Sequence, residues 1–149
     1  MSKGIVYLIG PIGGLSYEQA TTWRKEARTE LEPMGWTILD PMSGKECLKD
    51  EKDIGVGLNN AKSVENGYIF HSDLLRLNKA DIMLANWSIP SHRPPIGTMF
   101  EYGYAFAKDK TIITVSTDDY FIHHPFVVAS SIIVSTLDEA YELLAAMGR

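Results

Sequence analysis

Glu101 and Asp73 are the side chains of this sequence whose surroundings best suit covalent chemistry. Glu101 stands in Gly97-Thr98-Met99-Phe100-Glu101-Tyr102-Gly103, a pattern that opens a helix. A carboxylate in a first helical turn is held ionised by the helix dipole. An ionised carboxylate facing a crevice is the nucleophile an anomeric carbon needs. Thr98 and Glu101 also have the T-x-x-E spacing of a capping box, which would give the glutamate a structural task instead. Asp73 lies close to His71 and among Phe70, Leu74 and Leu77, near the apolar side of a helix. A second carboxyl there would supply the acid of a two-carboxylate mechanism, although a charged helix residue more often faces solvent. Tyr7, near the end of an apolar strand, either packs or turns its hydroxyl toward Glu101.

Two further motifs invite a ligand and give less. Gly10-Pro11-Ile12-Gly13-Gly14 lacks both the G-x-G-x-x-G spacing of a dinucleotide site and the lysine of a P-loop. Its glycines either make a plain turn or let a sugar or phosphate approach the backbone. His123-His124-Pro125 resembles a metal pair, but adjacent histidines cannot share one helix face, so no metal is expected. Asp81, at the start of its strand and so at the far end of the sheet, reads as structural.

These residues need a scaffold, and the apolar pattern supplies one. Ile5 to Ile9 is a buried strand, and Ser16 with Gln19 has capping-box spacing ahead of a helix to about Met34, stopped by Gly35. Trp36 to Leu39 is a second strand, ending at Asp40-Pro41. The stretch from Ser43 to about Asn66 is polar, glycine-rich and weakly patterned, the texture of a lid or a surface insertion. A helix follows from Ile69 to Lys79 with Ile69, Phe70, Leu74 and Leu77 on one face. Asp81 to Ala85 is a third strand, and a proline-rich loop leads to a helix from about Gly97 to Lys108. Strands at Thr111 to Val115 and Ser131 to Ser135, then a helix from Leu137 to Met147, complete the chain.

Strands that are apolar throughout and alternate with helices describe a parallel sheet covered on both faces. The expected fold is therefore a single α/β domain over residues 1–149, a doubly wound, flavodoxin-like or Rossmann-like sheet of five strands. Such sheets bind ligands beyond the carboxyl ends of their strands, between strands one and three in the flavodoxin-like order. That crevice makes Gly10, Pro11, Ile12, Gly13, Asp40, Asn86, Trp87, Gly97 and Thr98 the expected substrate contacts.

Composition narrows the partners. A net charge of -5 argues against a nucleic-acid backbone or an anionic membrane, while local basic groups still allow a small anion. Cys47 is the only cysteine, so no internal disulfide forms, and no apolar stretch reaches the length of a membrane span. A soluble cytoplasmic protein is expected.

The blocks Ala80-Asp81-Ile82-Met83-Leu84-Ala85-Asn86 and Gly97-Thr98-Met99-Phe100-Glu101-Tyr102-Gly103-Tyr104-Ala105 resemble the nucleoside 2-deoxyribosyltransferase family, and Tyr7-Leu8-Ile9-Gly10-Pro11 is similar to that family's opening strand and loop. The resemblance implies a flavodoxin-like fold, a nucleoside or nucleotide substrate, no cofactor, and a glycosyl intermediate on Glu101. Asp73 would position or protonate the leaving base, and Tyr7 would hold Glu101. The sugar would pass to another base, or to water in the related nucleotide N-hydrolases, whose phosphate is bound by the first loop and by serines of a neighbouring subunit. Ser16, Ser130 and Ser131 are the serines available here. The resemblance departs where such transferases often carry a further acidic residue, since Ser91-His92-Arg93-Pro94-Pro95 holds no carboxylate. A reading from another class is a non-catalytic nucleotide-binding domain, against which Glu101, Asp73 and Tyr7 together weigh. Apolar groups at Phe100, Tyr104, Phe106 and Ile122 to Val128 exceed what one small domain covers. A homodimer or larger homo-oligomer is therefore expected, with His124 and Phe126 completing the partner's site.

Overall fold

A computed structural model describes residues 2–55 and 66–148, with Asn66 described by its backbone alone. Its elements are β1 (Gly4–Ile9), α1 (Tyr17–Leu31), β2 (Trp36–Leu39), α2 (Asn66–Lys79), β3 (Ile82–Asn86), α3 (Ile96–Ala107), β4 (Thr111–Val115), α4 (Asp119–His123), α5 (Pro125–Ser130), β5 (Ile132–Val134) and α6 (Leu137–Ala146). All strand pairs are parallel and the order is β2-β1-β3-β4-β5, the flavodoxin-like arrangement. β3 is central, and the strand order reverses between it and β1.

Alternation along β1 divides the core. Val6 and Leu8 point into one layer with Trp23, Ala27 and Leu31 of α1 and Ala140 and Leu144 of α6. Tyr7 and Ile9 point into the other, with Leu77 of α2 and Tyr102 and Ala105 of α3. α1 and α6 thus cover one face of the sheet and α2 and α3 the other, so its strands must be apolar on both faces. Among the described residues no helix is long and apolar enough to cross a membrane.

Several sequence expectations shift. The helix expected to run to Met34 ends at Leu31 and continues as a 3₁₀ turn over Glu32–Met34, where Pro33 removes a backbone donor. Gly35 then closes it at φ 98°, a left-handed conformation glycine adopts without strain. The Ser16–Gln19 capping box is formed in both directions. Thr98 and Glu101 do not form one. α3 starts at Ile96 after Pro95, which makes no side-chain cap, so Thr98 is already inside the helix. Glu101 therefore lies in the second turn, beyond the strongest reach of the helix dipole. On α3, Ala105 is buried toward the sheet while Gly103 faces outward.

Of the weakly patterned stretch, residues 56–65 lie outside the described residues. The rest is anchored: Gly14 N donates to Ile54 O (2.8 Å) and Ile54 N to Leu15 O (2.7 Å), and Met42, Leu48 and Ile54 bury themselves against Leu15 and Ala20. The segment from Met42 to Ile54 thus forms a wall beside the first loop.

Candidate active site

The site lies where the strand order reverses. Gly10, Pro11, Ile12 and Gly13 after β1, Lys45, Leu48 and Ile54 of the anchored wall, Asp73 of α2, and Gly97, Thr98 and Glu101 of α3 line one cavity of about 460 Å³. A more apolar groove of about 360 Å³ shares Asp73 and Glu101 and continues between α2 and α3 past Phe70, Leu74, Leu77 and Phe100. The expected apolar face of α2 thus lines this groove, and Phe70 stays about half exposed.

Close packing shapes the first loop. A side chain at Gly10 would bring its Cβ within 2.7 Å of the Asn86 carbonyl, so only glycine lets β1 end this near β3. Ser91 Oγ donates to Gly13 O (2.6 Å), which ties the loop after β3 to the loop after β1.

Glu101 is the most perturbed group in the cavity. Burial raises its carboxyl, opposed by the Tyr7 hydroxyl; Asp73 raises it further while Arg24 and Lys45 lower it, and the net result is a pKa pushed up to about 8. The expectation of a carboxylate held ionised by the helix dipole is thus overturned: desolvation outweighs a dipole already distant from the second turn. Tyr7 is fully buried beneath the cavity floor. Its hydroxyl and Glu101 Oε2 both lack a fully formed hydrogen bond among the described residues, yet the hydroxyl lies near enough to favour the ionised carboxylate. Burial and the two carboxylates push the phenol far above its usual range, so Tyr7 stays a neutral donor. Asp73 accepts from Arg76 Nη1 at 3.0 Å, but burial still raises its carboxyl.

Three cations surround these acids, and sequence reasoning missed them. Arg24 of α1 is wholly buried, with Nη2 donating to Gly10 O (3.3 Å) and Nε 3.5 Å from Asp40 Oδ1. Its signal was available: position 24 falls on the stripe of Ala20, Ala27 and Leu31, where a charged residue needs a buried partner. Lys45 had no such signal, because its segment has no periodic pattern. Arg76 follows Asp73 at i+3, a spacing that favours the pair.

The other expected contacts scatter. Asp40 pairs with Arg24 and accepts from Met42 N (2.8 Å), outside the cavity lining. Asn86 is buried and accepts from Ser88, with Nδ2 unpartnered among the described residues. Trp87 lines a neighbouring cavity of about 270 Å³ with Ser116, Asp118, Tyr120 and Phe121, and stacks at 4.4 Å on Phe121. His124 caps α5, and Phe126 is 79% exposed; neither lines the cavity that holds Glu101 and Asp73. Ser16 caps α1, while Ser130 and Ser131 bond to Val127 O. Asp81 accepts from Ile5 N (2.9 Å) at the far end of the sheet, the structural task expected of it. Among the described residues no cluster of three or more His, Cys, Asp or Glu side chains could hold a metal.

The arrangement can attack an electrophilic carbon with one carboxylate while a second acid and a lysine face the same space. Residues 6–136 match the family model for nucleoside 2-deoxyribosyltransferase. No curated protein sequence matches the chain. Solved structures do. A 2-deoxyribosyltransferase from Bacillus psychrosaccharolyticus superposes with a TM-score of 0.64 at 18% identity, covering 97% of this chain and 98% of that one. One from Leishmania mexicana gives 0.65 at 16% identity, over 96% and 97%. A CMP N-glycosidase from Clostridium botulinum gives 0.57 at 20% identity, over 95% and 98%. Likenesses at these identities speak to the fold.

Proposed function

This chain belongs to the nucleoside 2-deoxyribosyltransferase family, and from that premise we propose that it cleaves the N-glycosidic bond of a deoxynucleoside through a glycosyl ester on Glu101 and passes the sugar to another base. The observation that carries this reading is the single cavity shared by Glu101, Asp73 and the Gly10–Gly13 loop, with Tyr7 behind the glutamate. Glu101, once ionised, attacks the anomeric carbon as the bond to the base breaks. Tyr7 steadies the ionised form. Asp73 positions the departing base, and the backbone of Gly10 to Gly13, with Gly97 and Thr98, leaves room for the sugar.

The cavity suits a low-charge nucleophile waiting for substrate. Bringing a sugar against Glu101 expels water, and the ester forms without leaving a charge buried beside Asp73. Phe100, Phe106, Phe126 and Val128 are exposed, which supports a homo-oligomer in which His124 and Phe126 reach a neighbouring site. A second reading, hydrolysis of a nucleoside 5′-monophosphate, is favoured by one observation: Arg93 reaches the cavity beside Gly13 and could meet a phosphate.

Chromatography of the purified protein with deoxynucleosides and their 5′-monophosphates, with and without a free acceptor base, tests this. Base exchange that needs the acceptor supports transfer. Base release without an acceptor, confined to the monophosphates, supports the hydrolytic reading. Release of no base from any of them overturns both.

A further inference from the structure

Lys45 is a buried lysine that the proposed reaction has so far left without work. It is 5% exposed and lines the same cavity as Glu101 and Asp73, on the wall formed by Leu48 and Ile54. Its backbone is held in a turn, with Lys45 N donating to Met42 O (3.1 Å) and Leu48 N to Lys45 O (3.0 Å). Among the described residues no carboxylate lies within ion-pair distance of its ammonium. An ammonium withdrawn this far from water is unfavourable unless something answers it. In this cavity the missing partner is space for a ligand.

Departure of a nucleobase needs a proton as well as a nucleophile. The obvious donors are compromised: Asp73 is engaged by Arg76 at 3.0 Å, and the stretch from Ser91 to Pro95 offers no carboxylate. We propose that Lys45 is the general acid of this site, its ammonium donating a proton to an acceptor atom of the departing base. This rests on the reaction proposed above. As the bond from C1′ to the base nitrogen breaks, its electron pair stays with the base and the Lys45 proton neutralises it. An electron pair of the Glu101 carboxylate forms the ester to C1′, and Lys45 is left as a neutral amine. In the second half the ester C–O bond breaks, the acceptor joins C1′, and the proton it gives up returns to Lys45.

The surroundings suit a lysine that must part with a proton. Burial lowers its pKa from the usual lysine value, Asp73 and Asp40 raise it, and Arg76 and Arg24 lower it. Glu101 faces it across the cavity, with Tyr7 behind. An acid works best when its pKa approaches the working pH.

The test compares Lys45→Met and Lys45→Arg with the wild type on a natural deoxynucleoside, its 5′-monophosphate, and a purine deoxynucleoside methylated at N7, whose base leaves neutral without a proton. Both variants should lose roughly 10²-fold or more in kcat on the natural substrate, the scale of general-acid catalysis. On the N7-methylated substrate each should stay within about fivefold of the wild type, which also shows that the variant is folded. Arginine fails because a guanidinium does not release its proton in this range. The alkaline limb of the wild-type pH–rate profile should be absent from both. Full rescue by arginine would overturn proton donation in favour of a fixed charge. A rise in KM confined to the monophosphate, with kcat on the nucleoside intact, would make Lys45 a phosphate anchor and overturn it as well. Equal losses on both nucleosides would make it structural. An active wild type with an unimpaired Lys45→Met sinks this step alone, whereas an inactive wild type sinks the reaction itself.

Discussion

On the side of the sheet covered by α1 and α6, β1 contributes Val6 and Leu8 to a layer of apolar side chains, and Trp36 Nε1 satisfies itself on Leu144 O at 3.0 Å. On the side covered by α2 and α3, the next residues of the same strand, Tyr7 and Ile9, meet a layer that also holds Glu101 and Asp73. The first layer buries the Tyr141 hydroxyl without a partner among the described residues, and α1 adds the wholly buried Arg24, whose Nε lies 3.5 Å from Asp40 Oδ1. The second keeps two such atoms, the Tyr7 hydroxyl and Glu101 Oε2, at its reactive end. An unsatisfied buried polar group costs about 1–3 kcal/mol. The two layers differ in what they bury: Glu101 and Asp73 lie on the α2–α3 side, where burial raises both carboxyl groups.

That contrast breaks most sharply at Glu101. Glu101→Gln should lower turnover by on the order of 10⁴-fold or more, as loss of a covalent nucleophile does, while the protein becomes more stable. Glu101 has a folded pKa raised to about 8 from 4.5. Its stabilising contribution is complete below pH 4.5 and lost as pH rises toward and through 8, because the folded state must give up a proton it holds tightly. Glutamine stays neutral throughout. Unfolding free energies of the two proteins, measured by denaturant, should therefore diverge in favour of Glu101→Gln between pH 5 and pH 8, by on the order of a few kcal/mol at the upper end.

Asp73→Asn should cost roughly 10²-fold in kcat on a natural deoxynucleoside, by loosening the position of the departing base. Asp73 raises the pKa of both Glu101 and Lys45, so its loss should move the whole pH–rate profile to lower pH. An unshifted profile would reduce Asp73 to packing.

Leu8→Ala strikes the other layer. Leu8 is fully buried there, and the truncation should cost about 2–5 kcal/mol by denaturant unfolding. The kcat of the folded protein should be unchanged, since no α1–α6 layer residue from β1 reaches the cavity. A large fall in kcat would show that the two layers are coupled.

Tyr7→Phe is the mildest change. The hydroxyl lowers the Glu101 pKa, so removing it should raise that pKa above about 8 and move the acid limb of the pH–rate profile to higher pH. Near pH 7 the rate should fall severalfold, because a smaller fraction of Glu101 is ionised. The shift is opposite in direction to that of Asp73→Asn, and a shift of equal sign in both would refute the assigned electrostatics.

The architecture was readable because it rests on runs of apolar residues: Ile5 to Ile9, Ile82 to Ala85 and Thr111 to Val115 are strands in the structure, and the parallel order follows from helices between them. Glu101, Asp73, the first loop and Thr98 were legible as one site because topology alone brings strand ends β1 and β3 together. The start of α3 was legible to within one residue, but the Thr98–Glu101 capping box is not formed, because Pro95 stands at the N-cap and Thr98 already lies inside the helix. Desolvation of Glu101 was equally hidden. It depends on how closely α2, α3 and the Met42–Ile54 wall approach, and no local spacing encodes that. Lys45 escaped for the same reason, whereas Arg24 stood on an apolar stripe and could have been found.

The central claim is that Glu101 becomes covalently bonded to the sugar. Rapid acid quench of wild-type protein during turnover of a deoxynucleoside, followed by intact-protein and peptide mass spectrometry, tests it directly. The account predicts a mass increase of one deoxyribosyl group, mapped to Glu101 and missing from Glu101→Gln. Base release with no adduct, or an adduct on any residue other than Glu101, would contradict it.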